Sequence, residues 1–286
     1  HKLGLHGKSF IPMIMGFGCN VPAIMSTRML ENRSDRILTI LINPFMSCSA
    51  RLPVYILLVG AFFKDYAALV LFGIYLFGIL AAIVMAKLFK RVLFHKQEVP
   101  FVMELPPYRM PTLRTTVRHM WSKGEQYLKK MGGIIMIASI VIWALGYYPD
   151  HDAYETVAEQ QENSYIGQIG KAMEPMIEPL GFDWKLGIGI LSGVGAKELV
   201  VSTLGVLYTN DAEADAVSLA ERIPITPLVA FCYMVFVLIY FPCIATIVAI
   251  KQESGGWKWA LFTAVYTTLL AWIMAFAIYR IGGLFV

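Results

Sequence analysis

The feature that most constrains the fold is an interrupted apolar segment near the start of the chain. Residues 16–22 (GFGCNVP) lie inside an otherwise apolar run that extends from Phe10 to Met25. Glycine lowers helix propensity and proline removes a backbone donor, so a helix is expected to break here. In hydrocarbon, the freed backbone groups are tolerated only where protein or a water-filled cavity satisfies them. The segment therefore predicts a site at membrane depth, with a thiol and an amide at the break.

The composition indicates a chain that resides in a membrane. Hydrophobic residues make up 57% of the 286 residues and charged residues only 15%, whereas a soluble domain carries about 25% charged residues. Several apolar runs approach the roughly 20 residues that a helix needs to cross a bilayer. We therefore predict an all-α, polytopic membrane protein in contact with lipid. The formal net charge of +4 is too small to suggest a nucleic-acid partner.

The second half of the sequence repeats the first. Residues 16–20 align with residues 193–197 at an offset of 177, and residues 45–50 (FMSCSA) align with residues 240–245 (YFPCIA) at an offset of 195. Each unit comprises a broken segment, an interrupted span and a smooth span. Paired interrupted segments in corresponding halves indicate the substrate site of a transporter. The counterpart of the span 132–149 would lie before residue 1, so we expect the first unit to be incomplete at its N-terminus.

A basic connector separates the two units. Residues 87–131 hold ten Lys or Arg against three acids, a bias that is typical of cytoplasmic loops. The second part of this connector predicts an amphipathic helix at the membrane interface. The predicted organisation is thus a first repeat with a central region over 1–86, the connector, and a second repeat over 132–286. Broken segments that cross fully would give seven crossings, whereas re-entrant segments would allow inverted repeats, and the sequence leaves both open.

Three of the four cysteines lie at the predicted breaks. Cys19, Cys48 and Cys243 could supply thiolates, which suit soft and borderline metals such as Fe(II), Zn(II) and Cu(I). Cys232 lies in the uninterrupted part of its span and is expected to be a buried apolar residue. All four lie in apolar segments, which argues against a disulfide framework. The cysteines at the breaks are therefore the first candidate metal ligands.

Polar residues at the same breaks extend the candidate site. A charge at membrane depth costs about 2.5–3.5 kcal/mol on insertion scales, so Glu198 and Lys197 are expected to serve the pathway. Adjacent residues point to different faces of a helix, which leaves Arg51 as the candidate partner of Glu198. We predict Glu198 as a metal ligand and Lys197 and Arg51 as gating residues. Asn20 and Asn43 are predicted to support the pathway, either by satisfying broken backbone or by offering carbonyl oxygens.

Five ordered stretches, which together cover nearly the whole chain, resemble the bacterial ferrous iron transporter B family. They are GFGCNVPAIMSTR, LTILINPFMSCSARLPVY, LPPYRMPTLRTT, GAKELVVSTLGVLY and FPCIATIVAIKQESGGWKWA. The resemblance implies a permease domain that moves Fe(II) across the bacterial cytoplasmic membrane. It also implies two gate-type repeats and an iron path lined by Cys19, Cys48 and Cys243, while the charge bias of residues 87–131 predicts that this loop is cytoplasmic.

The resemblance further implies an N-terminal GTP-binding domain, which is absent from this chain. No Walker-type loop occurs in residues 1–286. We therefore expect GTP to bind the missing domain, and this chain to be a transporter domain with no cofactor or enzymatic activity of its own. The implied partners are that G domain, a small ferrous iron transport A-type protein and a second copy of the chain.

Two other functions remain as alternatives. A gate-type transporter of another divalent metal or of nucleosides would use the same scaffold, although a nucleoside site would need more amide and carboxylate groups at the breaks. An intramembrane enzyme is disfavoured because the sequence contains neither His-Glu-x-x-His nor Gly-x-Ser-x-Gly. No Cys-x2-Cys or His-x3-His spacing indicates a preformed zinc site.

Overall fold

The computed structural model describes residues 7–94, 112–148, 157–209, 223 and 225–284, and these residues form helices and connecting segments without any strand. The predicted all-α class is confirmed. In chain order the helices are α1 (Phe10–Gly18), α2 (Asn20–Ser26), α3 (Arg33–Ile42), α4 (Leu52–Phe62), α5 (Ala67–Val92), α6 (Leu113–Tyr147), α7 (Val157–Asn163), α8 (Tyr165–Ile177), α9 (Trp184–Gly195), α10 (Leu199–Thr209), α11 (Pro227–Ile239), α12 (Ile244–Ser254) and α13 (Trp257–Gly282).

Four segments within the described residues are long and apolar enough to cross a membrane. Two are interrupted, namely α3–α4 (Arg33–Phe62) and α11–α12 (Pro227–Ser254), and two are smooth, namely Lys64–Val92 with α5 and Trp257–Gly282 with α13. Helix α11 is almost entirely buried and packs against α4, α5 and α13. Most residues of α5 and α13 are exposed or only partly buried, as expected for helices that face lipid.

The first broken segment folds back on itself as a hairpin. Helix α1 ends at Gly18, Cys19 has an extended backbone (φ −151°, ψ 132°), and α2 begins at Asn20. The outer ends of the hairpin lie together, because Lys8 Nζ is 2.9 Å from Glu31 Oε1. At nine residues, α1 is about 14 Å long, less than half of the roughly 30 Å hydrocarbon core. The α1–α2 hairpin therefore enters and leaves at the same face of the molecule.

The second broken segment forms a matching hairpin from α9 and α10. Ala196 interrupts the two helices with φ −147° and ψ 134°, almost the conformation of Cys19. Lys185 Nζ, near the start of α9, donates to the Leu207 carbonyl at 3.0 Å near the end of α10. The outer ends of this hairpin are thus also adjacent. The predicted break at 193–197 is confirmed, and the repeat alignment places Cys19 and Ala196 in equivalent positions.

The two hairpins enter from opposite faces. The α1–α2 hairpin lies at the C-terminal end of the α11–α12 span, where Arg28 donates to Glu253 Oε2 at 2.7 Å. The α9–α10 hairpin lies at the N-terminal end of that span, since a Cβ added at Gly181, just before α9, would be 3.0 Å from Val229 Cγ2. In the part of the chain that the structure describes, the broken segments are therefore re-entrant hairpins and the repeats are inverted, which is the second of the two arrangements left open by the sequence.

The connector departs from its sequence-based description. The interfacial helix predicted within it and the separate span predicted over 132–149 form one continuous helix, α6. The glycine pair inside α6 does not break it, because a helical glycine costs only about 1 kcal/mol relative to alanine. The predicted boundary between residues 131 and 132 consequently falls inside a helix. The proline-containing centre of the connector, within 95–111, and the acidic loop over 210–222 lie outside the described residues.

Candidate functional site

The tip of the first hairpin meets the interruption between α3 and α4. This interruption, residues 43–51, consists of two short 3-10 turns joined by extended backbone. Ser49 Oγ donates to the Gly18 carbonyl at 2.8 Å and so satisfies one backbone group freed at the hairpin tip. The approach is close, because a Cβ added at Gly16 would lie 2.9 Å from Asn43 Oδ1. A side chain at position 16 would therefore push the hairpin away from the span.

The tip of the second hairpin meets the interruption between α11 and α12 in the same way. Lys197 Nζ donates to the Phe241 carbonyl at 2.9 Å, and Tyr240 Oη donates to the Ile190 carbonyl at 3.3 Å. A Cβ added at Gly193 would collide with the Tyr240 hydroxyl. Each repeat thus brings a hairpin tip into contact with the interrupted span of its own unit.

The two junctions adjoin each other at the centre of the molecule. Arg51, Cys48 and Cys243 all lie within electrostatic range of the Lys197 ammonium group, although they come from both repeats. Cys19 and Cys243 pack against one apolar cluster formed mainly by α2 and α12. The three cysteines predicted at the breaks are therefore located where the hairpin tips and the interrupted spans converge.

The exposure of the cysteines separates two groups. Cys19, Cys48 and Cys243 are half-buried, whereas Cys232 is fully buried within α11, and none of the four forms a disulfide. Across the residues that the structure describes, no group of three or more His, Cys, Asp or Glu side chains is close enough to hold a metal ion. The junction thus offers separate sulfur groups that neighbour a broken backbone, rather than a closed cage.

Lys197 and Glu198, the two charged residues at the tip of the second hairpin, lie in different environments. Lys197 is only 3% exposed, whereas the adjacent Glu198 is exposed to the surroundings, which agrees with the prediction that they point apart. The predicted pairing of Arg51 with Glu198 is wrong. Arg51 Nη1 instead donates to the carbonyls of Pro44 and Met46 at 3.1 and 3.2 Å, because the interruption of its own span frees these acceptors.

Asn43 and Asn20 lie at the first junction, as predicted. Asn43 Nδ2 is 3.5 Å from both the Asn20 carbonyl and Asn20 Oδ1, which is the outer limit of a hydrogen bond. Both side chains are buried, and Asn43 Oδ1 has no hydrogen-bond partner within the described part of the chain. A buried carbonyl oxygen without a donor costs about 1–3 kcal/mol, so this oxygen is available to a cation or a water molecule.

Two residues of the junction, Tyr240 and Ser49, were not predicted from the sequence. The Lys197 ammonium lies 3.1 Å from the centre of the Tyr240 ring, a cation–π contact in a site shielded from water. The available signals were an aromatic residue directly before the FPC interruption and a hydroxyl next to Cys48, since hydroxyls commonly bond nearby backbone groups.

Two re-entrant hairpins that meet two interrupted spans in inverted repeats define a gate-type membrane domain. The family model Gate, described as nucleoside recognition, matches residues 1–62 and 128–257. The model described as ferrous iron transport protein B C terminus matches residues 71–123, between the two parts of the Gate match. The chain belongs to the ferrous iron transport protein B family.

Several relatives match across almost the whole chain. An Fe(2+) transport protein A/Fe(2+) transporter FeoB fusion protein of Porphyromonas gingivalis is 54% identical over 100% of this chain and 39% of its own length. The Fe(2+) transporters FeoB of Campylobacter jejuni and Methanocaldococcus jannaschii are 45% and 43% identical over 96% and 99% of this chain. The chain spans 46% and 43% of their lengths. No solved structure matches the chain.

Proposed function

We propose that this chain is the permease domain through which Fe(II) crosses the bacterial cytoplasmic membrane. The observation that carries the proposal is the placement of Cys48 and Cys243. These two half-buried thiols occupy equivalent positions in inverted repeats, at the point where both hairpin tips meet the interrupted spans. Thiolates suit a borderline metal such as Fe(II), and the relatives at 43–54% identity carry the name Fe(2+) transporter.

In this proposal Fe(II) is the substrate and exchanges ligands along the junction. It loses part of its water at the hairpin tips and binds transiently to Cys19, Cys48 and Cys243, while the exposed carboxylate of Glu198 adds negative charge at the second tip. Asn43 Oδ1, which has no hydrogen-bond partner within the described residues, adds an oxygen ligand. Fe(II) stands low in the Irving–Williams order, so geometry must supply selectivity. Movement of one hairpin and then the other passes the ion inward.

The orientation and the partners follow from charge and from the relatives. The basic connector 87–131 supports a cytoplasmic location for the face that carries Arg28 and Glu253, because cytoplasmic segments are rich in Lys and Arg. A G domain outside this chain would bind GTP, and this chain would need no cofactor and catalyse no reaction. A ferrous iron transport A-type protein is a proposed partner, supported by the fusion protein of Porphyromonas gingivalis. A homo-oligomer is a further proposal.

The test is anaerobic uptake of radioactive Fe(II) by cells that express the full-length protein containing this chain. We expect Cys48→Ala and Cys243→Ala each to lower uptake by about tenfold, the factor that corresponds to about 1.4 kcal/mol of lost binding free energy. Cys19→Ala should act in the same direction. Cys232→Ala is the matched control, because the same change is made at a thiol buried in α11, and it should leave uptake close to wild type.

Wild-type uptake in the triple variant of Cys19, Cys48 and Cys243, at normal membrane abundance, would contradict the thiol path. A nucleoside in excess serves as competitor in the same assay. Inhibition of Fe(II) uptake by the nucleoside would favour the nucleoside alternative, which the description of the Gate model suggests, whereas inhibition by another divalent metal would indicate broader metal transport.

A further inference from the structure

Two equivalent backbone carbonyls, one at each junction, each accept a hydrogen bond from a buried basic side chain. The Met46 carbonyl accepts from Arg51 Nη1 at 3.2 Å, and the Phe241 carbonyl accepts from Lys197 Nζ at 2.9 Å. Met46 and Phe241 are related by the same offset of 195 that relates Cys48 to Cys243. Each carbonyl therefore lies two residues before a thiol of the proposed path, in both repeats.

The two cations reach these carbonyls from unrelated places in the fold. Arg51 belongs to the interrupted span of the first repeat, and Thr246 stands at its equivalent position in the second. Lys197 belongs to the hairpin tip of the second repeat, and Asn20 stands at its equivalent position in the first. Equivalent carbonyls are thus bound by basic side chains from two different elements, which indicates that covering this carbonyl with a basic side chain matters to the site.

Satisfying a freed carbonyl does not by itself require a positive charge. Arg51 and Lys197 are 1% and 3% exposed, and burying a charge costs several kcal/mol unless it is well paired. Neither side chain forms an ion pair within the residues that the structure describes. A neutral donor is sufficient to satisfy a freed carbonyl here, since the Ser49 hydroxyl does so for Gly18 at 2.8 Å.

Backbone carbonyl oxygens that an interrupted helix leaves free can serve as ligands for hard cations. Ca²⁺, Mg²⁺ and Mn²⁺ favour carbonyl, carboxylate and water oxygens, whereas thiolates favour softer metals. An uncovered carbonyl beside Cys48 or Cys243 would add such an oxygen to the path. A tethered ammonium or guanidinium group occupies that oxygen and leaves sulfur as the neighbouring ligand.

We propose that Lys197 and Arg51 determine the metal specificity of the path, by occupying the Phe241 and Met46 carbonyls and so denying these two oxygens to hard cations. The proposal rests on the proposed function, because it assigns these two residues a role in the same site. It predicts that removing either cation admits Mn²⁺ and Ca²⁺ preferentially, rather than raising the entry of every divalent metal alike.

The experiment compares Mn²⁺, Ca²⁺ and Fe(II) entry into proteoliposomes that contain the full-length protein, under anaerobic conditions. Lys197→Met removes both the charge and the donor, Lys197→Gln removes the charge but keeps a donor, and Lys197→Arg keeps both. Arg51→Met tests the counterpart in the first repeat. Lys185→Met is the matched control, because Lys185 also donates to a carbonyl, that of Leu207 at 3.0 Å, but at the outer end of the same hairpin.

We expect Lys197→Met to raise the ratio of Mn²⁺ to Fe(II) entry by about tenfold, which corresponds to about 1.4 kcal/mol. Arg51→Met should act in the same direction. Lys197→Arg and Lys185→Met should keep the wild-type ratio, and Lys197→Gln should lie closer to wild type than Lys197→Met. An equal rise for all three metals in Lys197→Met, or an unchanged ratio in both methionine variants, would overturn the proposal.

The failure of the proposed function can be told apart from the failure of this inference. Wild-type vesicles that admit no Fe(II) would overturn the proposed function, and the Mn²⁺ and Ca²⁺ entry of the methionine variants would still decide whether the cations exclude hard metals. If Lys197→Met or Arg51→Met fails to fold, its elution profile in detergent will change. The metal ratio of the other methionine variant then tests the inference.

Discussion

At the residue scale, glycines on α9 set how closely the second hairpin approaches the core. Gly189 and Gly193 lie one turn apart, and they face Tyr233 and Tyr240 on the α11 side. A Cβ added at Gly189 would be 2.7 Å from the Tyr233 hydroxyl, and one added at Gly193 would collide with that of Tyr240. These tyrosine hydroxyls donate to carbonyls of α9. The glycines are therefore required for backbone contact at the junction, despite their low helix propensity.

Gly193→Ala should accordingly destabilise the protein by about 1–3 kcal/mol, the usual cost of overpacking a well-packed interior. The same change at Gly73, within α5, has nothing within 4 Å of the added Cβ and should stabilise α5 by up to about 1 kcal/mol. Thermal unfolding in detergent measures both variants. Equal midpoints for Gly193→Ala and Gly73→Ala would show that the junction adjusts without cost.

At the element scale, a buried carboxylate joins the two repeats at one end of the molecule. The Glu253 side chain, near the end of α12, is 2% exposed and contacts both Arg28 and Arg36. Arg36 also donates to the Glu253 carbonyl. The hydrogen bond that Arg28 donates to Glu253 raises the pKa of Arg28 above its usual value, so this guanidinium group stays charged throughout the physiological range. The cluster fixes the first hairpin to the second repeat.

We expect Glu253→Gln to lower the free energy of unfolding by about 1–3 kcal/mol, because a buried acceptor of charged hydrogen bonds is lost while both arginines stay close together. Glu31→Gln is the matched control. It removes an equivalent carboxylate from the exposed pair with Lys8, and exposed pairs contribute about 0–1 kcal/mol. Urea unfolding of the purified protein would compare them, and equal losses in the two variants would argue against a clamp at Glu253.

At the scale of the whole molecule, local chemistry predicted the breaks but not the course of the chain through them. The glycines and prolines near Cys19, Cys48 and Cys243 mark interruptions because their effect on the helix is local. The re-entrant hairpins depend instead on contacts between distant residues, such as Lys185 with Leu207 and Arg28 with Glu253.

Two further differences between prediction and structure concern α6 and Arg51. The continuous helix α6 differs from its prediction because a glycine pair weakens a helix without ending it. Arg51 departs from its predicted pairing with Glu198. The interruption of its own span frees the carbonyls of Pro44 and Met46, and the Arg51 side chain donates to these instead. The positions of the helix breaks could thus be predicted from the sequence, whereas the partners of the charged residues beside them could not.

The inverted arrangement makes a direct prediction about which side of the membrane each hairpin base faces. Glu31 lies at the outer end of the first hairpin, and Lys171 lies 5.6 Å from the ring of Trp184, which opens the second. In a background with the four cysteines changed to alanine, an impermeant maleimide should label Lys171→Cys in intact cells and Glu31→Cys only in inside-out vesicles. Lys8→Cys should behave like Glu31→Cys, because the two residues pair across the first hairpin.

Labelling of both hairpin bases from the same side of the membrane would contradict the inverted repeats. If the first base were labelled in intact cells and the second only in inside-out vesicles, the inverted repeats would stand and only the proposed orientation would be overturned.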